Sequence, residues 1–312
     1  MRKVVVIGGS TGAIDAFCNL LKQLPQDFSA PIMAVIHIGE GASVLPDILQ
    51  RCTKLKVVSP AGSEPIAEGT VFVAPANRHL LARDGCVLST HGPRENRHRP
   101  AIDTLFRSVA RNYRSKVIAV ILSGALDDGV AGCLAVEARG GTIIVQDPAT
   151  AQNPEMPSNV LRAVSANYRA SLEEIARLLS KLSKEGEPGP EKTPEPAECA
   201  GLEEEDGFPT TEPFAQTCPE CGGSLLKVEH GDTEQWRCNV GHFYTLESFS
   251  LAHSNALERA LWVALQRLNE QRSLQDHLAK RSTNTFMQRR YQENAAAAAE
   301  DMRLLKEILA RL

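Results

Sequence analysis

The sequence predicts a doubly wound α/β fold, a mostly parallel sheet with helices on both faces, followed by a small zinc-ribbon-like module and a helical hairpin. Three observations predict it. Short β-branched runs alternate with amphipathic helical patterns through residues 1–183. The runs at 31–37 and 117–122 are apolar on both faces, as strands covered by helices on each side must be. After residue 183 the composition changes three times: a proline-rich acidic stretch, a compact Cys/His segment, then a long helical pattern.

The first strand, 3–7, is the run Val4-Val5-Val6-Ile7, which stops where Gly8 and Gly9 allow a turn. Helix 11–23 follows. Strand 31–37 precedes helix 43–53, and the short apolar run at 70–73 gives a third strand. An antiparallel excursion is expected around 70–90, where Val71-Phe72-Val73 and Cys86-Val87-Leu88 flank a polar turn. Helix 101–113, strand 117–122, helix 129–138, strand 142–146 and helices 157–164 and 171–183 complete one domain over 1–183. Residues 184–216 read as a disordered linker: ten acidic residues stand against one lysine between 185 and 213, among six prolines. Residues 217–244 form the ribbon-like module. Over 245–312, Leu257, Leu261, Ala264 and Leu268 share one helical face. Ser282-Thr283-Asn284 breaks the pattern before a second run with Met302, Leu305, Leu309 and Leu312, so a helical hairpin or coiled coil is expected.

Bulk composition excludes some functions. The 312 residues carry a net charge of −4, against the basic face that a general nucleic-acid binder needs. No stretch approaches the ~20 apolar residues that span a bilayer, so no membrane insertion is expected. The apolar start is too short for a signal peptide, and a cytoplasmic protein is expected.

Gly8-Gly9-Ser10-Thr11-Gly12 carries the first chemical signal. A strand that ends in G-x-S-x-G and turns into a helix exposes the serine hydroxyl at a sharp bend. The first N–H groups of that helix, at Thr11 and Gly12, point at the same spot and suit an oxyanion. A serine nucleophile needs a base, and the base needs an orienting acid. His37 closes the second strand. Asp127-Asp128-Gly129 follows the strand 117–122 and opens a helix. All three therefore lie at carboxyl ends of parallel strands, the edge where open α/β sheets bind ligands.

Each residue also has a plainer reading: a phosphate-cradling loop at Ser10, a histidine bonded to a backbone carbonyl, an aspartate capping a helix. A nucleotide-binding loop would want a third glycine and an acidic residue closing the second strand, where this chain has His37. A catalytically degenerate scaffold is the other alternative. Arg94, Arg97, His98 and Arg99 form a basic cluster that could meet the acidic surface of a substrate helix.

With these residues in place, residues 1–183 resemble the catalytic domain of the chemotaxis protein-glutamate methylesterases, the CheB family. The matching stretches are Ile7 to Gly12, Val35-Ile36-His37, Ala74-Pro75 with Arg78-His79, Asn96 to Pro100, Leu122-Ser123-Gly124 through Asp128-Gly129, and Met156-Pro157. The resemblance implies a serine esterase that removes methyl groups from glutamate methyl esters on chemoreceptor-like proteins, that can deamidate glutamine, and that needs no cofactor for catalysis. It implies Ser10 as nucleophile, His37 as base and Asp128 as orienting acid. It places Thr11, Gly12 and Ala125 at the oxyanion and Arg97 and His98 toward substrate. Where the family usually reads Gly-Met-Gly-Asn-Asp-Gly, this chain reads Gly124-Ala125-Leu126-Asp127-Asp128-Gly129. Ala125 can then act only through its backbone N–H, and Leu126 stands where a glycine is usual. The sequence starts on the first catalytic strand, so a fused phospho-receiver domain ahead of it is not expected.

Cys218 and Cys221 are two residues apart with Gly222-Gly223 to close the turn; Cys238 and His242 follow with three residues between them. Three thiolates and an imidazole make a tetrahedral set that suits zinc, closed and therefore structural. Beyond the linker, the ribbon and helices are expected to sit apart from the catalytic edge and to engage a protein partner.

Overall fold

The computed structural model describes residues 3–38, 44–184, 210–230 and 233–311. The linker expected over 184–216 falls outside the described residues from 185 to 209. From Thr210 onward the chain is already strand.

The first part of the chain runs β1 (Val4–Gly9), α1 (Ala13–Gln23), β2 (Ile32–Ile36), α2 (Leu45–Gln50), β3 (Lys56–Val58), β4 (Ser63–Pro65), β5 (Thr70–Val73), β6 (His79–Arg83) and β7 (Cys86–Thr90). It continues through α3 (Ile102–Tyr113), β8 (Val117–Ile121), α4 (Val130–Glu137), β9 (Thr142–Gln146), α5 (Glu155–Ala163), β10 (Tyr168–Ala170) and α6 (Leu172–Leu182). Seven strands form one sheet in the order β10-β9-β8-β1-β2-β5-β3, and each neighbouring pair is parallel. Both faces are apolar because both are covered. Phe17 and Leu20 of α1, Leu49 of α2 and Leu179 of α6 pack on one face. Phe106 and Val109 of α3, Cys133 of α4 and Met156 of α5 pack on the other. The chain winds outward from β1 in both directions, so the switch of direction lies between β1 and β8.

The excursion around 70–90 is present with a different pairing. Val71-Phe72-Val73 belongs to the parallel sheet, and Cys86-Val87-Leu88 pairs with β6 instead. The reason is the turn: Asp84 and Gly85 have φ of 49° and 79°, the pair of positive φ values that a tight two-residue hairpin demands. With β4 this hairpin makes a separate three-stranded sheet.

The four strands β11 (Thr210–Thr217), β12 (Ser224–His230), β13 (Thr233–Cys238) and β14 (Phe243–Thr245) form an antiparallel meander. The meander and the α/β fold belong to one compact unit, Met1–Ser248. The second unit, Phe249–Leu312, holds most of α7 (Leu246–Arg281) and α8 (Thr285–Leu309). Asn284 caps α8 by accepting from the N–H groups of Phe286 and Met287, and Asn294 of α8 donates to Gln275 of α7. No helix among the described residues is long and apolar enough to cross a membrane.

Candidate active site

Ser10 sits on the turn between β1 and α1. Its N–H donates to the Ser123 carbonyl at 2.9 Å, and its own carbonyl accepts from Ala13. The turn needs Gly12, whose φ is 79° and whose added Cβ would stand 2.6 Å from Gln152 Oε1. Across from it, a Cβ on Gly124 would lie 2.7 Å from Met156 Sδ and 3.1 Å from Ser10 Cβ. The loop after β8 therefore passes flush against the serine because residue 124 has no side chain. Thr11 and Gly12 lead into the N-terminal end of α1, and Ala125 follows Gly124 in the loop that passes Ser10.

His37 follows β2 directly, and its N–H donates to the Gly9 carbonyl at 3.0 Å, one residue before Ser10. Its ring Nε2 donates to Asp128 Oδ2 at 2.8 Å. The other ring nitrogen, Nδ1, is buried and has no hydrogen-bond partner. Asp128 is 1% exposed. Its Oδ2 also accepts from the Ile102 N–H at 2.7 Å, and its Oδ1 from the Asp103 N–H at 3.1 Å. Both donors open α3, so that helix end faces the carboxylate. Burial alone would raise this carboxyl. The hydrogen bond and charge of His37, with His98 and the Ile102 N–H, outweigh it and hold Asp128 well below the usual carboxylate range. The aspartate stays charged and can fix one tautomer of the imidazole.

His98 stacks on His37 with ring centroids 3.8 Å apart. Burial first, then the nearby charge of His37, pushes it down to about 4, so it is a neutral plate against the other ring. It lies in a tight turn in which Glu95 and His98 exchange backbone hydrogen bonds, with Asn96 and Arg97 both at positive φ. The basic cluster expected here is thereby divided. His98 is neutral, Arg99 is held by Asn77 and the Gly92 carbonyl, and Arg97 remains in the turn beside the site. The unusual Leu126 keeps a left-handed conformation, φ 64°, with its carbonyl accepting from Asn159 Nδ2. The loop therefore retains a glycine-like path with a leucine on it.

Two residues that sequence reasoning assigned no role hold this arrangement. Asp103 is fully buried; it accepts from the N–H groups of Gly129 and Gly132 and from Asn96 Nδ2. Burial, with Asp128 and Glu95 nearby, pushes its carboxyl well up. Asn96 is 2% exposed and donates its second amide proton to Asp128 Oδ1 at 3.2 Å. An asparagine ahead of Arg97-His98-Arg99-Pro100 was the available signal, and it reads equally well as turn chemistry alone.

The Cys218, Cys221, Cys238 and His242 ligand atoms all lie within 4.8 Å of one another. Cys218 Sγ and Cys238 Sγ lie 3.6 and 3.4 Å from His242 Nδ1, and Cys221 Sγ lies 3.6 Å from Cys238 Sγ. A tetrahedron with metal–sulfur bonds of about 2.3 Å and a metal–nitrogen bond of about 2.0 Å has edges of this length. Burial lowers the His242 pKa, which favours the neutral ring a metal needs. The residues fit a metal ion.

The module is not held away from the catalytic edge, as its place beyond the linker suggests. β14 lies against the turn at 94–98: the Asn96 N–H donates to the Phe243 carbonyl at 2.9 Å and the Phe243 N–H to Arg94. Arg107, paired to Glu95 at 2.5 Å, stands over the Phe243 ring. Thr245 Oγ1 donates to Asp127 Oδ2 at 2.5 Å.

A family model described as CheB methylesterase matches residues 5–179. The chain belongs to this family. Curated relatives match a similar share of it. A provisionally named protein-glutamate methylesterase/protein-glutamine glutaminase of Leptospira interrogans is 39% identical over 184 residues, 58% of this chain and 95% of that protein. Protein-glutamate methylesterase/protein-glutamine glutaminase 3 of Geobacter metallireducens is 37% identical over 186 residues, and there the match spans about half of the relative, 52%. The crystal structure of the Thermotoga maritima CheB methylesterase catalytic domain matches with a TM-score of 0.56 and 34% identity, over 58% of this chain and 99% of that one. Residues 180–312 lie outside the family match.

Proposed function

We propose that the chain is a serine esterase that hydrolyses glutamate methyl esters, and can deamidate glutamine, on chemoreceptor-like proteins. One observation carries the reading. The His37 ring is fixed by a charged Asp128 through Nε2, Nδ1 is buried without a partner, and the His37 main chain is bonded to Gly9, the residue before Ser10. Nδ1 takes the proton from Ser10 Oγ as the oxygen attacks the ester carbonyl. The backbone N–H groups of Thr11, Gly12 and Ala125 meet the negative charge that develops on the carbonyl oxygen. The imidazolium formed at His37 is stabilised by Asp128 and gives the proton to the departing methoxide, releasing methanol. Water then repeats the cycle on the acyl-enzyme, and glutamate leaves. An amide passes through the same steps with ammonia as the leaving group. Arg97, in the turn that carries His98, meets acidic substrate surface in this reading. Zinc on Cys218, Cys221, Cys238 and His242 serves structure, since four protein ligands leave no open position.

The C-terminal helices engage a protein partner in this reading. Their exposed Leu257, Trp262, Val263, Leu274 and Phe286 support it. Reaction of the full chain with a fluorophosphonate probe tests the enzyme. Labelling at Ser10 that Ser10→Ala abolishes is expected, with a loss of roughly 10⁴–10⁶ in turnover. Undiminished ester hydrolysis by Ser10→Ala would remove the serine from its role.

A further inference from the structure

We propose that the Cys3His ribbon is a positioning element of the esterase, acting through Asn96 on Asp128. The inference rests on the serine-esterase reading above. Asn96 is the hinge of the argument because every polar group of its side chain is used, and the two ends face different modules. Nδ2 donates to Asp103 Oδ2 at 2.8 Å and to Asp128 Oδ1 at 3.2 Å. Oδ1 accepts from the Thr245 N–H at 3.3 Å and from Ser248 Oγ at 3.2 Å. Carboxylates at one end and donors at the other permit one orientation of the amide.

The end of β14 and the first turn of α7 supply both donors. Thr245 and Ser248 form the reciprocal cap that starts α7: the Thr245 N–H donates to Ser248 Oγ at 2.9 Å and the Ser248 N–H to Thr245 Oγ1 at 3.2 Å. The same Thr245 hydroxyl binds Asp127, the neighbour of Asp128. β14 also pairs with the backbone of Asn96, which sits at φ 48° and gains support there. Phe243 and Thr245 follow the ligand His242 by one and three residues. A ribbon of this size cannot bury a core of its own, so metal binding sets the position of β14. A Cβ on Gly241 would come within 2.9 Å of Pro93 Cγ, so the ribbon approaches the 93–98 turn as closely as a glycine allows.

The consequence is mechanical. Without the docked ribbon, Asn96 loses both donors to its side-chain oxygen, one a backbone N–H and one a hydroxyl, and one backbone acceptor while buried between two carboxylates. Asp128 then loses one of its four hydrogen bonds and the rigidity of its neighbours. Misplacing a catalytic group by about 1 Å costs on the order of a hundredfold in rate. Ground-state binding of a small ester uses none of these contacts, so the effect belongs in kcat and not in KM.

The test uses the full chain and p-nitrophenyl acetate. Zinc is removed with a chelator and restored. In parallel, Thr245→Val with Ser248→Ala removes the two hydroxyl contacts, to Asp127 and to Asn96, with the metal ligands and the backbone pairing untouched. Ser10→Ala is the control. Expected are a ten- to hundredfold fall in kcat with KM unchanged, recovery on adding zinc, and recovery in the variant that keeps Ser248 and carries Thr245→Ser. The downfield proton signal of His37 Nε2–H should broaden or shift in the zinc-free protein and in the double variant. That signal reads the Asp128 contact and not folding in general. Unchanged kcat and an unchanged proton signal in both preparations, with Ser10→Ala inactive, would overturn the positioning role and leave the esterase reading standing. An active Ser10→Ala protein would overturn the reading on which it rests.

Discussion

His37 presents Nε2, and not Nδ1, to Asp128, across 2.8 Å. Chymotrypsin-type triads use the ring the other way round, with Nδ1 on the acid and Nε2 on the serine. The inversion follows from the fold. His37 extends directly from β2 and is pinned by its backbone to Gly9, while Asp128 approaches from the far side of β1, out of the loop after β8. A histidine whose main chain lies next to the serine reaches the acid with its distal nitrogen.

Asp128→Asn should therefore leave the fold in place and reduce kcat by about 10⁴, because an amide at that position favours the wrong tautomer of His37. Asp127→Asn should be mild. Its carbonyl still accepts the Thr245 hydroxyl, and it replaces a carboxyl that burial pushes up to about 6. Steady-state kinetics on a small ester rank the two variants. The opposite ranking would assign the orienting acid to Asp127.

The purified chain should contain one equivalent of zinc, measured by plasma emission on reduced protein. Cys221→Ser should lower it to a small fraction. Because the ribbon packs against the 93–98 turn, chelation should also reduce hydrolysis of small esters, and so should truncation after Lys184. A free-standing module at the end of a linker would leave both rates unchanged. A zinc-free native preparation would contradict the metal assignment.

Much of the site was legible in the sequence because it depends on local geometry. Glycines around Ser10, a strand closing on His37 and an Asp-Asp-Gly opening a helix each announce the end of a parallel strand, and parallel strands in a doubly wound sheet put those ends on one edge. Cys218, Cys221, Cys238 and His242 were legible by spacing alone. The short strands β3, β4 and β10 were not, since three residues carry too little pattern. Nor was the seat of the ribbon: Asn96 and Thr245 are 149 residues apart, and their contact depends on the shape of two finished surfaces. Asp103 reads as an ordinary acidic residue in the first turn of a helix, and only the fold sets it against Gly129 and Gly132.

Leu126 offers a test of backbone strain next to the site. A branched side chain at φ 64° costs roughly 1–2 kcal/mol, most for residues branched at Cβ. Leu126→Gly should stay within about 1 kcal/mol of the parent, since relief of strain offsets the lost burial and the extra entropy of the unfolded chain. Leu126→Val should be destabilised by about 1–2 kcal/mol despite its smaller volume. Urea midpoints measure the order. A valine variant as stable as the glycine one would show that the loop relaxes freely.

His98 should make stability depend on acid in a defined window. Its folded pKa of about 4 lies below the ordinary value of 6.5, because burial and the neighbouring His37 oppose a second charge. Below 6.5 the unfolded chain binds a proton at this position that the folded chain does not. Stability is therefore full above pH 6.5 and falls as the pH drops from 6.5 toward 4, below which the folded protein is protonated too. His98→Phe keeps a ring stacked on His37 and removes the titration. Urea midpoints at pH 7 and pH 5 should fall further in the parent than in the variant, with every other titrating group common to both. Equal falls would show that His98 is protonated as readily when folded as when unfolded, and that it does not stand as a neutral plate against the base.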